Sequence, residues 1–331
     1  MSKTIGIPRG LFYYKYFPLW KTFFEKLGVR VIVSDPTSKQ ILDMGVKSCV
    51  DEACLPVKLF HGHVLNLKGK VDYIFIPRFT SISRNEYICP KFGGLPDMIR
   101  HTLDGLPEII DTEVNLRKSK KNAIKAFYEV GAHFTSEARL IKKAYGEALK
   151  SHREYRRLIT EGHLPCDLLE GKRAERQEGM EGSRLKIAVV GHPYNLYDSH
   201  LNMNMVKKLK RENVEVITVD MVDEAVVNEK VRDMPKRLFW NFGRRAVGGA
   251  MHFLDDEELD GIIYLMSFGC GVDSFVCDII ERKVRRKSSI PFMVLTLDEH
   301  SGEAGLNTRL EAYIDMIRWR NANEGNLPAY G

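Results

Sequence analysis

Short apolar runs of strand length alternate with helix-period stretches along most of this chain, and the alternation repeats. The first unit reads Thr4-Ile5-Gly6-Ile7-Pro8, an aromatic run Leu11-Phe12-Tyr13-Tyr14, a helix near Leu19 to Leu27, and the strand Val29 to Val33. A second unit starts at Ile187-Ala188-Val189-Val190-Gly191-His192-Pro193, passes Tyr194 to Tyr197 into a helix ending near Arg211, and reaches the strand Val214 to Val219. Both are strand, proline-bearing loop, helix, strand, and both end near an aspartate, Asp35 and Asp220. The echo continues in a third strand, Val71 to Pro77 in the first half and Leu259 to Leu265 in the second. Strands joined through helices are parallel, their crossovers right-handed, and their sheet is covered on both faces. The pattern therefore predicts an α/β protein with two flavodoxin-like, doubly wound parallel-sheet domains.

Between the repeats, helical periodicity at Ala123, Ile124, Phe127 and Tyr128, and again at Leu140, Ile141, Ala144 and Tyr145, predicts two helices that cross between the domains. The polar, glycine-punctuated stretch Glu170 to Gly179 reads as a linker. The expected division is an N-terminal α/β domain over 1–110, a helical connector and linker over 111–183, and a C-terminal α/β domain over 184–331.

At 331 residues, 44% apolar, 28% charged and 10% aromatic, the composition suits two globular cores. No apolar stretch approaches the roughly 20 residues that span a bilayer, and residues 1–6 enter a strand without a signal-peptide core. A cytoplasmic protein without a membrane partner is expected. The net charge of +6 comes from helical runs such as Lys207 to Arg211 and Arg282 to Lys287, interleaved with acids and unaccompanied by any nucleic-acid motif. They read as solvated helix faces, and no nucleic-acid partner is expected. In a reducing compartment six cysteines are free, metal-bound or catalytic rather than paired.

Three of those cysteines carry the chemistry. Cys54 precedes Leu55-Pro56, Cys89 precedes Pro90, and Cys270 stands between Gly269 and Gly271. Each is read as following a strand-like run and preceding a helix, which places it on the rim where loops gather and ligands bind. Proline suits a helix first turn, and a thiol at a helix N-terminus is expected to have a lowered pKa. Gly269 and Gly271 leave room for a cluster and expose backbone amides to it. Cys54, Cys89 and Cys270 are thus candidate ligands of a [4Fe–4S] cluster, the alternative being three buried packing cysteines. With three thiolates, one iron stays free for water, substrate or another ligand. Cys49, in Val46 to Val50, reads as a core strand residue; Cys277 reads as packing, within reach of a fourth ligand position; Cys166 has no supporting context.

Among the other groups, His63 is expected to face the site and His61 solvent. His192, at the carboxyl end of a strand, is a candidate acid or ligand-binding group, with a packing role as the alternative. Glu299 and His300, in Leu297 to Glu303, are expected to line the cleft or donate protons, or else to cap a helix. Asp273-Ser274 reads as a helix cap. No phosphate-binding loop, third glycine of a dinucleotide fingerprint, paired CxxC or serine elbow is present, so the chain itself is not expected to hydrolyse ATP.

The segments Ile5 to Arg9, Cys54 to Lys58 with Gly62-His63, Cys89-Pro90, Gly191 to Tyr194, Phe268 to Gly271 and Asp298 to Gly305 occur in one order along nearly the whole chain. In them the chain resembles the activase-related proteins of the 2-hydroxyacyl-CoA dehydratase and benzoyl-CoA reductase superfamily. The resemblance implies a [4Fe–4S] protein of two flavodoxin-like domains with the cluster between them. It also implies electrons from a separate ATP-hydrolysing iron–sulfur activase, for reduction of a hard substrate such as an acyl-CoA thioester, and assembly with a related subunit or a second copy. The chain is shorter than the dehydratase and reductase subunits and matches the activase-related branch, so the substrate does not follow. A non-catalytic iron–sulfur carrier or assembly factor, and a metal-free two-lobe small-molecule-binding protein, are the competing readings.

Overall fold

The computed structural model describes residues 3–119, 121–171 and 184–323. The first half runs β1 (Thr4–Ile7), α1 (Tyr13–Lys26), β2 (Arg30–Val33), α2 (Lys39–Ser48), α3 (Leu55–Leu67), β3 (Tyr73–Phe75), β4 (Arg78–Ser81), α4 (Pro90–Thr102), β5 (Glu108–Ile110) and β6 (Glu113–Asn115). Three helices follow, α5 (Lys121–Ala132), α6 (Ala138–Thr160) and α7 (Pro165–Leu169). The second half runs β7 (Leu185–Gly191), α8 (Pro193–Leu196), α9 (Met205–Arg211), β8 (Val214–Thr218), a 3₁₀ turn at Val219–Met221, α10 (Glu224–Val231), α11 (Asn241–Phe253), β9 (Gly261–Ser267), α12 (Gly271–Lys287), β10 (Phe292–Leu297) and α13 (Glu303–Asn323). The linker read at Glu170 to Gly179 lies, beyond Gly171, outside the described residues.

Two four-stranded parallel sheets form, in the orders β2-β1-β3-β5 and β8-β7-β9-β10. Counted within each sheet, both are 2-1-3-4, the first four strands of the flavodoxin-like order. The echo in the sequence is thus a repeat of topology. In the first half two strands continue past Pro77: Ile76 N–H donates to Ile110 O and Arg78 N–H to Thr112 O, and β4 then pairs with β6. In both sheets the crossover order reverses between the first and third strands, and the loops leaving those strands are where such sheets bind ligands.

One apolar core includes residues of both halves, from Ile5, Phe23 and Ile74 to Ile187, Ile263 and Leu295; a second, around Ala188, Tyr264 and Ile280, belongs to the C-terminal half. The long α6 packs on α1, and Tyr155 O–H donates to Tyr14 O at 2.6 Å, so the connector is anchored on the first half. Arg156 of the same helix donates to Asp220 O at 3.2 Å in the second.

Local reading failed at two places. Residues 46–50 are not a strand: α2 carries Val46 to Ser48, and Cys49 is its C-cap. The Ser38 side chain accepts from Ile41 N–H, and this N-cap starts a helix whose 3.6-residue period overrides the short apolar run. Cys54 accordingly follows a helix and loop rather than a strand. The first helix also begins at Tyr13, not near Leu19, so the aromatic run is its first turn.

The pair α2 and α3 sets where Cys54 lies. A Cβ on Gly45 would stand 2.0 Å from Lys58 O, and one on Gly62 1.9 Å from Ile41 O, so the two backbones touch at glycines. Gly45→Ala is expected to lower stability by about 1–3 kcal/mol or more through overpacking, despite alanine's better helix propensity. Urea unfolding of that variant against the parent checks it.

Candidate functional site

Cys54, Cys89 and Cys270 line one cavity with about 470 Å³ of empty space, part of it open to solvent. Its walls also include Leu11, Tyr87, His192, Tyr194, Trp240 and Phe242, drawn from both halves. Each cysteine is a helix N-cap: Cys54 of α3, Cys89 of α4 and Cys270 of α12. His192 and Trp240, N-caps of α8 and α11, line the same space. Five helix starts therefore face one cavity, and each long helix favours an anion there by about 0.3–1 kcal/mol. The convergence follows from the topology. His192 leaves β7 and Cys270 leaves β9, the switch-point pair of the second sheet, while Leu11 leaves β1 and Cys89 follows β4, the matching pair of the first.

The halves are held together around this cavity. Tyr87 N–H donates to Phe239 O at 2.8 Å and Asn241 N–H to Tyr87 O at 3.0 Å, which stitches the Cys89 loop to the start of α11. Beneath that stitch, buried Glu86 pairs with Arg244 Nε at 2.5 Å and accepts from Asn241 Nδ2 at 2.6 Å. Glu224 is shared by Arg244 and Arg245. The Gly269 turn, with φ of +76°, brings the Cys270 loop against Cys54: a Cβ on Gly269 would lie 3.5 Å from Cys54 Cα. A Cβ on Gly271 would meet nothing within 4 Å.

The expected lowering of the thiol pKa does not occur at Cys89 or Cys270. Burial raises the Cys270 thiol to about 12, with the Asp273 carboxylate adding to the rise, and the Asp273 amide offsets only part of it. Burial raises Cys89 as well, against the opposing Lys91 amide. Neither sulfur closes a capping hydrogen bond, so the helix start does not outweigh desolvation. Cys54 and Cys89 each add a little to the rise at Cys270.

His192 is buried, with Nε2 at 3.0 Å from Asp273 Oδ1, and its ring packs 4.9 Å from Phe242. Tyr264 O–H donates to the same Asp273 oxygen at 3.0 Å, and Asp273 Oδ2 has no partner. One ligating atom from each of His192, Cys270 and Asp273 lies within 4.8 Å of the others. Asp273 is therefore not a solvent-facing cap but a buried partner of His192, 81 positions away in the chain, for which no local signal exists.

The other expected site residues lie elsewhere. His63 is fully buried away from the cavity, its Nδ1 2.9 Å from Ser34 Oγ and its Nε2 3.0 Å from Thr37 Oγ1. His61, expected in solvent, is also buried, with Nδ1 donating to Val57 O at 2.8 Å. Alternation at i and i+2 failed as a guide because α3 is covered on nearly all sides. Glu299 reaches Lys58 Nζ at 2.6 Å, an ion pair between the halves, and does not line the cavity; His300 is exposed and does not line it either. Cys277 is packed in the second core, Cys166 sits in α7, and neither these nor Cys49 lines the cysteine cavity.

Thr37 O–H donates to Asp198 Oδ2 at 2.5 Å, so His63 Nε2–H donates to Thr37 and Ser34 O–H to Nδ1. Burial, with the nearby Arg9 charge, lowers the His63 pKa to about 3. The ordinary value of about 6.5 applies to the unfolded chain, which then binds the extra proton between these limits. Stability is expected to be full above about pH 6.5 and to fall toward pH 3, by at most about 1.4 kcal/mol per unit for one proton. His152, lowered to about 4 by burial and Arg156, acts in the same direction. Urea midpoints from pH 7 to 4, with a shallower dependence in His63→Gln, check this.

A family model described as CoA enzyme activase uncharacterised domain matches residues 4–222, which include Cys54 and Cys89. No curated protein matches the chain. Among solved structures, an ABC transporter periplasmic solute binding protein from Actinobacillus succinogenes 130z with bound D-allose is similar at 13% identity, covering 96% of this chain and 92% of that one, with a TM-score of 0.21. At that score the likeness supports no conclusion about fold or ligand. No helix among the described residues is long and apolar enough to cross a membrane.

Proposed function

We propose, on the premise that the chain belongs to the family described as CoA enzyme activase uncharacterised domain, that Cys54, Cys89 and Cys270 hold a [4Fe–4S] cluster and that the protein is a redox component of reductive CoA-linked chemistry. The observation that carries this reading is that three thiols from three helix starts line one cavity of about 470 Å³. Soft thiolate donors suit an iron–sulfur centre, and a three-thiolate set leaves one iron without a protein sulfur. A single zinc ion held by these cysteines and His192 would need the three sulfurs within roughly 4 Å of one another, and among the described residues they form no such group. A cluster bound here supplies one-electron transfer close to a substrate.

The chain's own groups support that role in three ways. The starts of α3, α4, α11 and α12 favour negative charge on the thiolates and the bound group, offsetting part of the cost of burying it. His192, held by Asp273 and lining the cavity, is placed to hold a proton at its second ring nitrogen or donate it there. The superfamily resemblance implies electrons from a separate ATP-hydrolysing iron–sulfur partner, and the lack of a phosphate-binding loop in this chain is in keeping with that. Exposed Tyr87, Phe239, Phe268 and Phe275 suit the docking of such a partner, Tyr87 and Phe268 each standing two residues before a cavity cysteine. The superfamily resemblance points to an acyl-CoA thioester or a similarly hard substrate.

Iron and acid-labile sulfide counts on anaerobically purified full-length protein test the reading. About four of each per chain, with an EPR signal after reduction, is the expected result. A protein with stoichiometric zinc and no sulfide, or one free of metal with all thiols titratable, would overturn it.

A further inference from the structure

A second cavity, with about 370 Å³ of empty space, lies between the halves and shares no lining residue with the cysteine cavity. Arg9 enters it from the loop after β1, Tyr13 and Tyr14 from the first turn of α1, and Thr37 from the loop after β2. Asp198 and Ser199 close it from the second half. These are carboxyl-end loops of strands or their direct continuations, where open parallel sheets bind ligands.

The polar groups in this cavity are unbalanced. Arg9 rests its guanidinium 5.4 Å above the Tyr13 ring, yet no side chain among the described residues accepts a hydrogen bond from it, and Nε is buried without a partner. An unpaired buried guanidinium nitrogen is costly, and native structures retain such groups where something else binds them. The hydroxyls of Tyr13 and Tyr14 also lack partners among the described residues. Both phenols line the cavity together with Arg9, and burial raises each while the Arg9 charge pulls it back. Of the two carboxylates in the wall, Asp198 is already used, its Oδ1 taking the N–H groups of His200 and Leu201 and its Oδ2 the Thr37 O–H, and Glu170 is not free either.

We infer that this cavity binds a small organic monocarboxylate, with Arg9 gripping the carboxylate and Tyr13 and Tyr14 donating to it. A guanidinium fork matches a carboxylate in two parallel hydrogen bonds. One cation beside Asp198 and Glu170 does not favour a phosphate dianion. Because Arg9 and Thr37 belong to the first half and Asp198 to the second, the ligand seats across the interface and holds the halves together. The site stands independently of any metal at the cysteines.

Calorimetric titration of the full chain with formate through hexanoate, at constant pH and ionic strength, and with inorganic phosphate, tests this. The expected result is saturable carboxylate binding that weakens roughly 10- to 100-fold in Arg9→Gln, the range for losing a charge-assisted hydrogen-bonded contact. Tyr14→Phe should weaken it by a smaller factor and serves alone if Arg9→Gln fails to fold by circular dichroism. Absence of saturable carboxylate binding, binding unchanged in the folded variants, or tighter binding of phosphate than of any carboxylate would overturn the inference.

Discussion

Serine at Cys54, at Cys89 or at Cys270 is expected to remove most of the iron and sulfide from anaerobically purified protein, whereas serine at Cys49, Cys166 or Cys277 leaves both near the parent level. The division follows from position, since the first three line the cavity and the others do not. It also separates the open-site reading from a closed electron carrier, which needs a fourth cysteine. Cys277 is packed in the second core and does not line the cavity, which favours packing over a fourth ligand. Loss should be accompanied by lower stability, because metal binding free energy at such a site is also folding free energy. Iron and sulfide analysis, with thermal unfolding in parallel, gives both readouts. Full iron in the Cys54, Cys89 and Cys270 variants, with the same spectrum, would sink the three-ligand assignment.

Glu86→Ala is expected to cost about 3 kcal/mol, because it takes from buried Arg244 its one buried carboxylate and leaves it only the half-exposed Glu224. Glu86 and Arg244 have side-chain exposures of 5% and 4%, and they lie on opposite halves of the molecule. Removing the carboxylate also frees Asn241 Nδ2, at the first position of α11 and in the cavity wall. The damage should therefore reach the metal site as well as the global stability. The double variant Glu86→Ala with Arg244→Met should recover part of the loss, since two apolar groups are cheaper to bury than one orphaned charge. Urea unfolding of both single variants and the double gives the coupling. A double variant whose loss equals the sum of the singles would show that the pair does not couple the halves.

The parts that were legible in the sequence share one property: their signal is contained within about a dozen residues. The strands at Thr4 and Ile187, the helix after Cys54 and the proline starts at Pro56 and Pro90 were read from period and capping chemistry. The repeat was legible because two such strings could be laid on each other, and their common 2-1-3-4 order is what the sheets adopt. Where local signals competed, the reading failed. Val46 to Val50 looks like a strand, but Ser38 caps a helix that runs through to Ser48.

The amino-acid order alone determined the α/β repeat, the rim positions of three cysteines and the lack of a nucleotide loop. Only the tertiary structure decided what surrounds them. It set Asp273 beneath His192, turned His63 toward Ser34 and Thr37, spent Glu299 on Lys58, and left Arg9 facing a cavity without an acceptor. It also reversed the expected acidity of Cys270, since a helix start acts within one turn, while desolvation depends on every chain segment packed around the sulfur. Pairing and burial between segments tens to hundreds of residues apart have no local pattern to betray them.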